Sequence, residues 1–193
     1  MSAAIPSYLS GMPVVSINKE AFQGCWSLTS VTIPNGLTAI SQNAFQDCNS
    51  LISVAMPDSV TRLLSCAFYG CSDLTDAVVG KGVKIINEQA FQDCNSLTGV
   101  TIPNSVTAIG YKAFRGCGFS SVTIPASVIS VAESAFRGCS NLTSVTFTGA
   151  PPQTVGADAF DDVHTGCKAR VSKNAGWLSA GANWNGLTIE YFD

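Results

Sequence analysis

Charge is scarce in this chain. Only 12% of its 193 residues are Asp, Glu, Lys or Arg, about half the share usual for a globular domain. Net charge is −3 and no basic cluster exists, so the electrostatic footprint of nucleic-acid binding is missing. Long apolar runs are missing too. None approaches the roughly 18 residues that a spanning helix needs. The first 18 residues hold no Lys or Arg and no continuous apolar stretch, so no secretory leader is read there. No G-x-G-x-x-G follows a strand, and no G-x-x-x-x-G-K-[ST] occurs, which removes the common phosphate cradles. C-x-x-C is absent and His164 is the single histidine, so a zinc ligand set is not expected. Disorder is excluded from the other side, because 46% of residues are hydrophobic and disordered chains are poor in such residues.

What is present is a repeated word. "AFQGC", "AFQDC", "AFYGC" and "AFRGC" recur, and their Phe falls at Phe22, Phe45, Phe68, Phe91, Phe114 and Phe136, with Phe160 closing the series. The intervals are 23, 23, 23, 23, 22 and 24 residues. An apolar residue lies six after the Phe: Leu28, Leu51, Leu74, Leu97 and Leu142. The fifth repeat is one residue short, which brings Phe119 to that place. Then come Val31, Val54, Ala77, Val100, Val122 or Val145, and two further on Ile33, Met56, Val79, Ile102, Ile124 or Phe147. Proline follows at 34, 57, 103 and 125, and a second apolar pair such as Val106 with Ile109 completes the unit.

The physics is that of a flattened coil. "SVTIP" alternates polar and apolar residues with the period of a strand. Its Pro lacks an N–H and stops the ladder. "VTAI" is read as a short strand on the opposite side. In "AFQDC" the inward residues stand at i, i+1 and i+4, which suits a short helical or 3₁₀ corner. One unit cannot bury its own apolar face, whereas stacked units can, with parallel strands about 4.8 Å apart.

The pattern L-x-x-V-T-I-P-x-x-V-T-x-I-x-x-x-A-F-x-x-C, running from about residue 14 to residue 171, resembles the BspA-type, or Treponema pallidum-type, leucine-rich repeat. The resemblance implies a right-handed solenoid of about seven 23-residue units, with strands on both faces. The third repeat departs from it, with Gly80 where Pro is expected. Residues 1–20 are read as a degraded half-repeat, 21–162 as the solenoid and 163–193 as a C-terminal cap carrying Trp177, Trp184, Tyr191 and Phe192. The family further implies a non-enzymatic adhesion module at the cell surface, contacting protein or glycan on another cell or matrix. The competing expectation is a spacer or self-associating intracellular scaffold without a specific ligand.

Six of the eight cysteines stand three residues after the repeated Phe: Cys25, Cys48, Cys71, Cys94, Cys117 and Cys139. They are expected as an inward row of small hydrophobes. Equivalent side chains in stacked coils point the same way. Their Cβ atoms then lie beyond the usual disulfide separation, so free thiols are expected. Cys66 shares its column with Asn43, Gln89, Lys112 and Ser134, which predicts an exposed thiol; Cys167 falls in the cap.

No catalytic constellation emerges. His164 has Asp161 and Asp162 nearby but no G-x-S-x-G elbow, and Asp76, Glu88, Asp93 and Glu133 fall on different parts of the coil. "NLT" at 141–143 matches a glycosylation acceptor but opens a strand. No cofactor is expected. The candidate binding surface is therefore the strand face: Thr29, Ser30, Thr32, Ser53, Thr75, Asp76, Thr98, Thr101, Ser121, Thr123, Ser144 and Thr146. Ser and Thr also simply suit exposed strand positions. As a surface they offer hydroxyl donors and acceptors with no aromatic or Arg anchor.

Overall fold

The computed structural model describes residues 1–192 as a parallel β-solenoid without helix. The outward–inward alternation of "SVT" and its relatives builds one side of the coil. There the strands Ser2–Ala4, Ser30–Thr32, Ser53–Ala55, Asp76–Val78 and Gly99–Thr101 form one sheet. Ser121–Ile124, Ser144–Phe147, Lys168–Ser172 and Leu187–Phe192 form a second, closed by antiparallel Asn183–Trp184. The "VTAI" stretches give the other side, a seven-stranded sheet from Ser16–Ile17 to Thr154–Val155. Pairing follows the repeat: Ser53 stands beside Asp76, and Asp76 beside Gly99, each 23 residues on. Where Gly80 replaces Pro, the turn is kept: Val83 N–H donates to the Gly80 carbonyl at 3.1 Å, as Val60 does to Pro57 at 3.0 Å.

The core is the set of columns between the sheets. Phe45, Phe68, Phe91, Phe114 and Phe136 are fully buried. From Phe22 to Phe160 consecutive ladder rings stack with centroids 5.0–5.4 Å apart, the rise of one coil plus a small offset.

The corner differs from the helical expectation. Instead of i→i−4 bonds it makes the i→i−3 bonds of the expected 3₁₀ alternative, arranged as linked turns and not as a continuous helix. Cys48 N–H donates to the Phe45 carbonyl at 3.2 Å, and Gln46 N–H to Asn43 at 3.1 Å. The intervening N–H groups point the other way: Asn43, Phe45 and Asp47 donate to Ser65, Ala67 and Tyr69 of the next coil. This alternation needs left-handed backbone at two places per corner, and the structure has it at Asn43 (φ 57°) and Asp47 (φ 57°) and their equivalents. A helix would satisfy the N–H groups within the coil and leave the next coil unbonded; linked turns satisfy both.

The one-residue deletion in the fifth repeat splits the longer side into two sheets. Gly118 sits where a Cβ would lie 2.3 Å from the Asn95 carbonyl oxygen, so only Gly fits this tightened corner. Phe119 is fully buried edge-on to Phe114, 5.6 Å away. The Gly99–Thr101 and Ser121–Ile124 strands do not pair, while the other side continues unbroken.

Candidate binding face

The strand ladders place the predicted surface residues in rows. One row runs Ser2, Ser30, Ser53, Asp76 and Gly99, and resumes as Ser121, Ser144, Lys168 and Thr188. The neighbouring row, two residues along each strand, holds Thr32, Ala55, Val78 and Thr101, then Thr123, Thr146, Arg170 and Glu190. Ser30, Thr32, Ser53, Asp76, Thr101, Ser121 and Thr123 are exposed, and Ser144 and Thr146 half-buried. The Asp76 carboxylate lies down over Gly99, where a Cβ would meet its Oδ1 at 2.7 Å. The face is thus flat and small-featured, relieved by exposed Ile52 and Val78.

Thr29, Thr75, Thr98 and Thr143 stand at the entry to the strands and do different work. Their hydroxyls donate to the carbonyl of the previous coil: Met1, Ile52, Thr75 and Ser120, at 3.0, 3.0, 3.4 and 3.0 Å. Their protons are committed to holding coils together, and they retain only acceptor capacity toward a partner. The outward rows therefore carry the donors of the face.

Reading the sequence missed the charged end of this surface. Lys168, Arg170 and Glu190 continue the two rows, with Lys168 Nζ 2.6 Å and Arg170 Nε 3.4 Å from the Glu190 carboxylate. The Lys168 hydrogen bond holds the Glu190 carboxyl below its usual range. The alternation of Ala169 and Val171 with Lys168 and Arg170 was the available signal.

Three thiol expectations meet the structure differently. Cys66 is half-buried, not exposed. Its column stacks like the others, so Gln89 of the next coil covers it, with the thiol 3.8 Å from Gln89 Oε1. Burial, and then nearby Glu88, push its pKa up. Cys167 is 1% exposed, because Cys167, Ala169 and Val171 form the inward face entering the Lys168–Ser172 strand. Cys25 is half-buried, because no repeat word precedes it.

The other Phe-linked thiols are buried and free, and each donates to a carbonyl. Cys48, Cys71, Cys94, Cys117 and Cys139 donate to Phe22, Phe45, Phe68, Phe91 and Phe114 at 3.0–3.2 Å. Each of those carbonyls also accepts the N–H of its own coil's Cys, so the thiol occupies the second lone pair. Burial pushes the Cys48 and Cys139 thiols up to about 12 and Cys117 well above its ordinary value.

His164 is exposed in a turn, its carbonyl accepting Cys167 N–H at 2.9 Å. At the nearest corner Arg137 binds Asp158 (2.8 Å) and Asp162 (3.1 Å). Ser134 also donates to Asp158, and the two lower that carboxyl's pKa. This cluster ties the sixth coil to the seventh. Among the described residues no three or more of His, Cys, Asp and Glu converge as a metal site, and no helix is long and apolar enough to cross a membrane.

A coil of stacked 23-residue units, with columns of Phe and Leu inside and a polar strand face outside, defines a leucine-rich-repeat β-solenoid. The BspA type leucine rich repeat region matches residues 9–117 and 64–173 in six copies, and the chain belongs to that family. Among solved structures it is similar to a T. pallidum leucine-rich repeat protein, with 32% identity and a TM-score of 0.50. That match covers 75% of this chain and 57% of that one. A Bacteroides ovatus leucine-rich repeat protein (20% identity, TM-score 0.53, covering 100% and 69%) shares the fold. So does the pneumococcal vaccine antigen PcpA (16% identity, TM-score 0.51, covering 100% and 62%). The chain thus spans little more than half of the T. pallidum protein. No curated protein matches its sequence.

Proposed function

We propose that this chain is a non-enzymatic adhesion module, displayed outside the cell, whose outward Ser/Thr rows contact proteins or glycans of another cell or matrix. The observation that carries this reading is the pair of rows, in register within each sheet and interrupted between Gly99–Thr101 and Ser121–Ile124, in which exposed Ser30, Thr32, Ser53, Thr101, Ser121 and Thr123 present hydroxyls beside a single charge, Asp76. Such a face suits an extended partner. Between Ser30 and Thr146 the rows hold no aromatic or Arg anchor, so that stretch has no hot spot and useful affinity comes from many copies acting together. Membership of the family supports the reading.

The test is binding to immobilised matrix proteins and glycan arrays, with the chain offered singly and on multivalent beads. Expected is weak, saturable binding that bead display strengthens by about 10²-fold or more. Ser53→Arg with Ser121→Arg, which only fill exposed positions, reduces it. Absence of saturable binding on either format, or binding and cell attachment indifferent to the double variant, counts against the proposal and favours a spacer.

A further inference from the structure

We propose that the third and fourth coils form a subsite for one neutral pyranose unit of a glycan. The site arises in the repeat that breaks the pattern. The second, fourth and fifth coils turn on Pro-x-Ser, as in Pro57-Asp58-Ser59, whereas the third turns on Gly80-Lys81-Gly82. Both glycines press against the second coil. A Cβ on Gly80 would lie 2.3 Å from the Pro57 carbonyl oxygen, and one on Gly82 would lie 2.5 Å from the carbonyl oxygens of Asp58 and Val60. Only Gly allows so close an approach. Lys81 N–H fastens the same turn to Asp58 Oδ1 at 2.9 Å. In the second and fourth coils a serine hydroxyl spans to the coil before, Ser59 to Leu37 at 2.8 Å and Ser105 to Val83 at 2.7 Å. The third coil closes that gap with its backbone. Drawn toward the second coil, its turn leaves room on the side of the fourth.

A recess of about 430 Å³ lies there, within the ~300–1,000 Å³ of small-molecule sites. Val78, Val79, Ile102 and Pro103 give it an apolar lining. Val78 and Thr101 are neighbours in the outward row, so the recess is continuous with the strand face. Its polar groups are those of Asp58, Lys81, Thr101 and Asn104, all exposed.

Three features select a neutral sugar. The two charges cancel. Asp58 and Lys81 face each other at 3.7 Å, so an ionic ligand attracted by one is repelled by the other. That separation is longer than a hydrogen bond, which leaves the ammonium protons and carboxylate lone pairs for a guest. Donors and acceptors are also mixed. Lys81 donates, Asp58 accepts, and the Thr101 hydroxyl and Asn104 carboxamide do both, with no protein partner for either side chain among the described residues. Sugar hydroxyls likewise donate and accept. Finally, a pyranose carries its hydroxyls around a C–H face, and burying that face against the Val, Ile and Pro carbons is favourable. A small ion or a urea-like polar ligand has no such face to offer.

Resting on the adhesion reading for the source of the sugar, the site narrows that reading to one place on the face. The test titrates the methyl glycosides of glucose, galactose and mannose into the isotope-labelled full chain, each to about 100 mM, and follows the backbone amides by NMR. At least one glycoside should give saturable shifts at Val78 to Lys81 and at Thr101, Asn104 and Ser105. The expected Kd is about 1–10 mM, which about a dozen heavy atoms reach at ordinary ligand efficiency. Thr101→Val with Asn104→Ala, at exposed positions, should weaken binding by about tenfold or more. Gly80→Pro with Gly82→Ser, which restores the regular turn and narrows the recess, should abolish it. Circular dichroism checks that the strands persist; if the turn variant loses them, the exposed pair decides alone. Ser53→Arg with Ser121→Arg should leave the shifts unchanged. No saturable shift with any glycoside overturns the subsite. So do shifts confined to other residues, binding that survives a folded variant of either pair, or tighter binding of methyl glucuronide than of methyl glucoside. If the shifts are absent while glycan-coated beads still bind, the subsite falls and the adhesion reading stands. If the shifts appear and no bead binds, the site takes free sugar, and it is the adhesion reading that falls.

Discussion

A thiol is a weak donor, yet five coils place one where it meets the second lone pair of a Phe carbonyl. Packing outweighs that bond, because the Phe68 carbonyl keeps Cys71 N–H at 3.4 Å when the Cys94 thiol is removed. Cys94→Ala, which leaves a void, should therefore cost about 1–2 kcal/mol in urea unfolding. Cys94→Val, which fills it without a donor, should cost less. Equal losses would show that the hydrogen bond dominates. The same burial makes stability sensitive to alkali. In the folded chain Cys48 and Cys139 hold their protons to about 12, against an unfolded value near 8.5. The native state therefore binds more protons above that value, and stability falls as pH rises through this window. Urea midpoints should agree between about pH 7 and 8, then drop by about pH 10.5. A midpoint unchanged at the higher pH would contradict the protonated, buried row.

Each corner is an element with its own conformational demand. The position two after the Phe reads Gly24, Asp47, Gly70, Asp93, Gly116, Gly138 and Asp162, all at positive φ. Over the first five coils Gly and Asp alternate for a second reason. A Cβ on Gly70 would meet Asp47 Oδ1 at 2.4 Å, so each carboxylate lies over the glycine that follows. Gly70→Ala, strained in both respects, should lower stability by about 1–2 kcal/mol. Asp47→Gly should stay within about 0.5 kcal/mol of the parent, and urea midpoints distinguish the two. That alternation was the legible sign of left-handed backbone. The i, i+1, i+4 spacing of Ala, Phe and Cys concealed it, because one helical turn and two linked turns share that spacing. The column before the Ala carried no such sign. Glu20, Asn43, Cys66, Gln89 and Lys112 adopt positive φ because the next coil requires their N–H groups. The strand columns were legible throughout, since period two at a 23-residue repeat admits one register. Thr29 and Ser30 were not separable, because adjacent hydroxyls look alike until the ladder shows which one donates inward. Lys168 and Arg170 were absorbed into the cap because the Phe-Cys word had ended before them.

At the scale of the molecule the coils behave as a stack in which each unit bonds to the one before and the one after. The backbone bonds of the corners and strands reach one coil away, and so do the Phe stack and the thiol bonds. A structure with nearest-neighbour coupling should tolerate the loss of one whole unit. Deleting residues 75–97 joins Leu74 to Thr98, which matches Thr75 in the repeat, and so restores every column. The shortened chain should fold with the same circular dichroism per residue and unfold cooperatively at a lower urea midpoint, having one interface fewer. Deleting 78–97 removes three residues fewer but displaces Phe, Cys and Leu from their columns. It turns apolar side chains outward, and that chain should not fold. The ordering is the informative result. If the larger deletion were the more damaging, stability would follow chain length, and alignment of the columns would not be what holds the coil together.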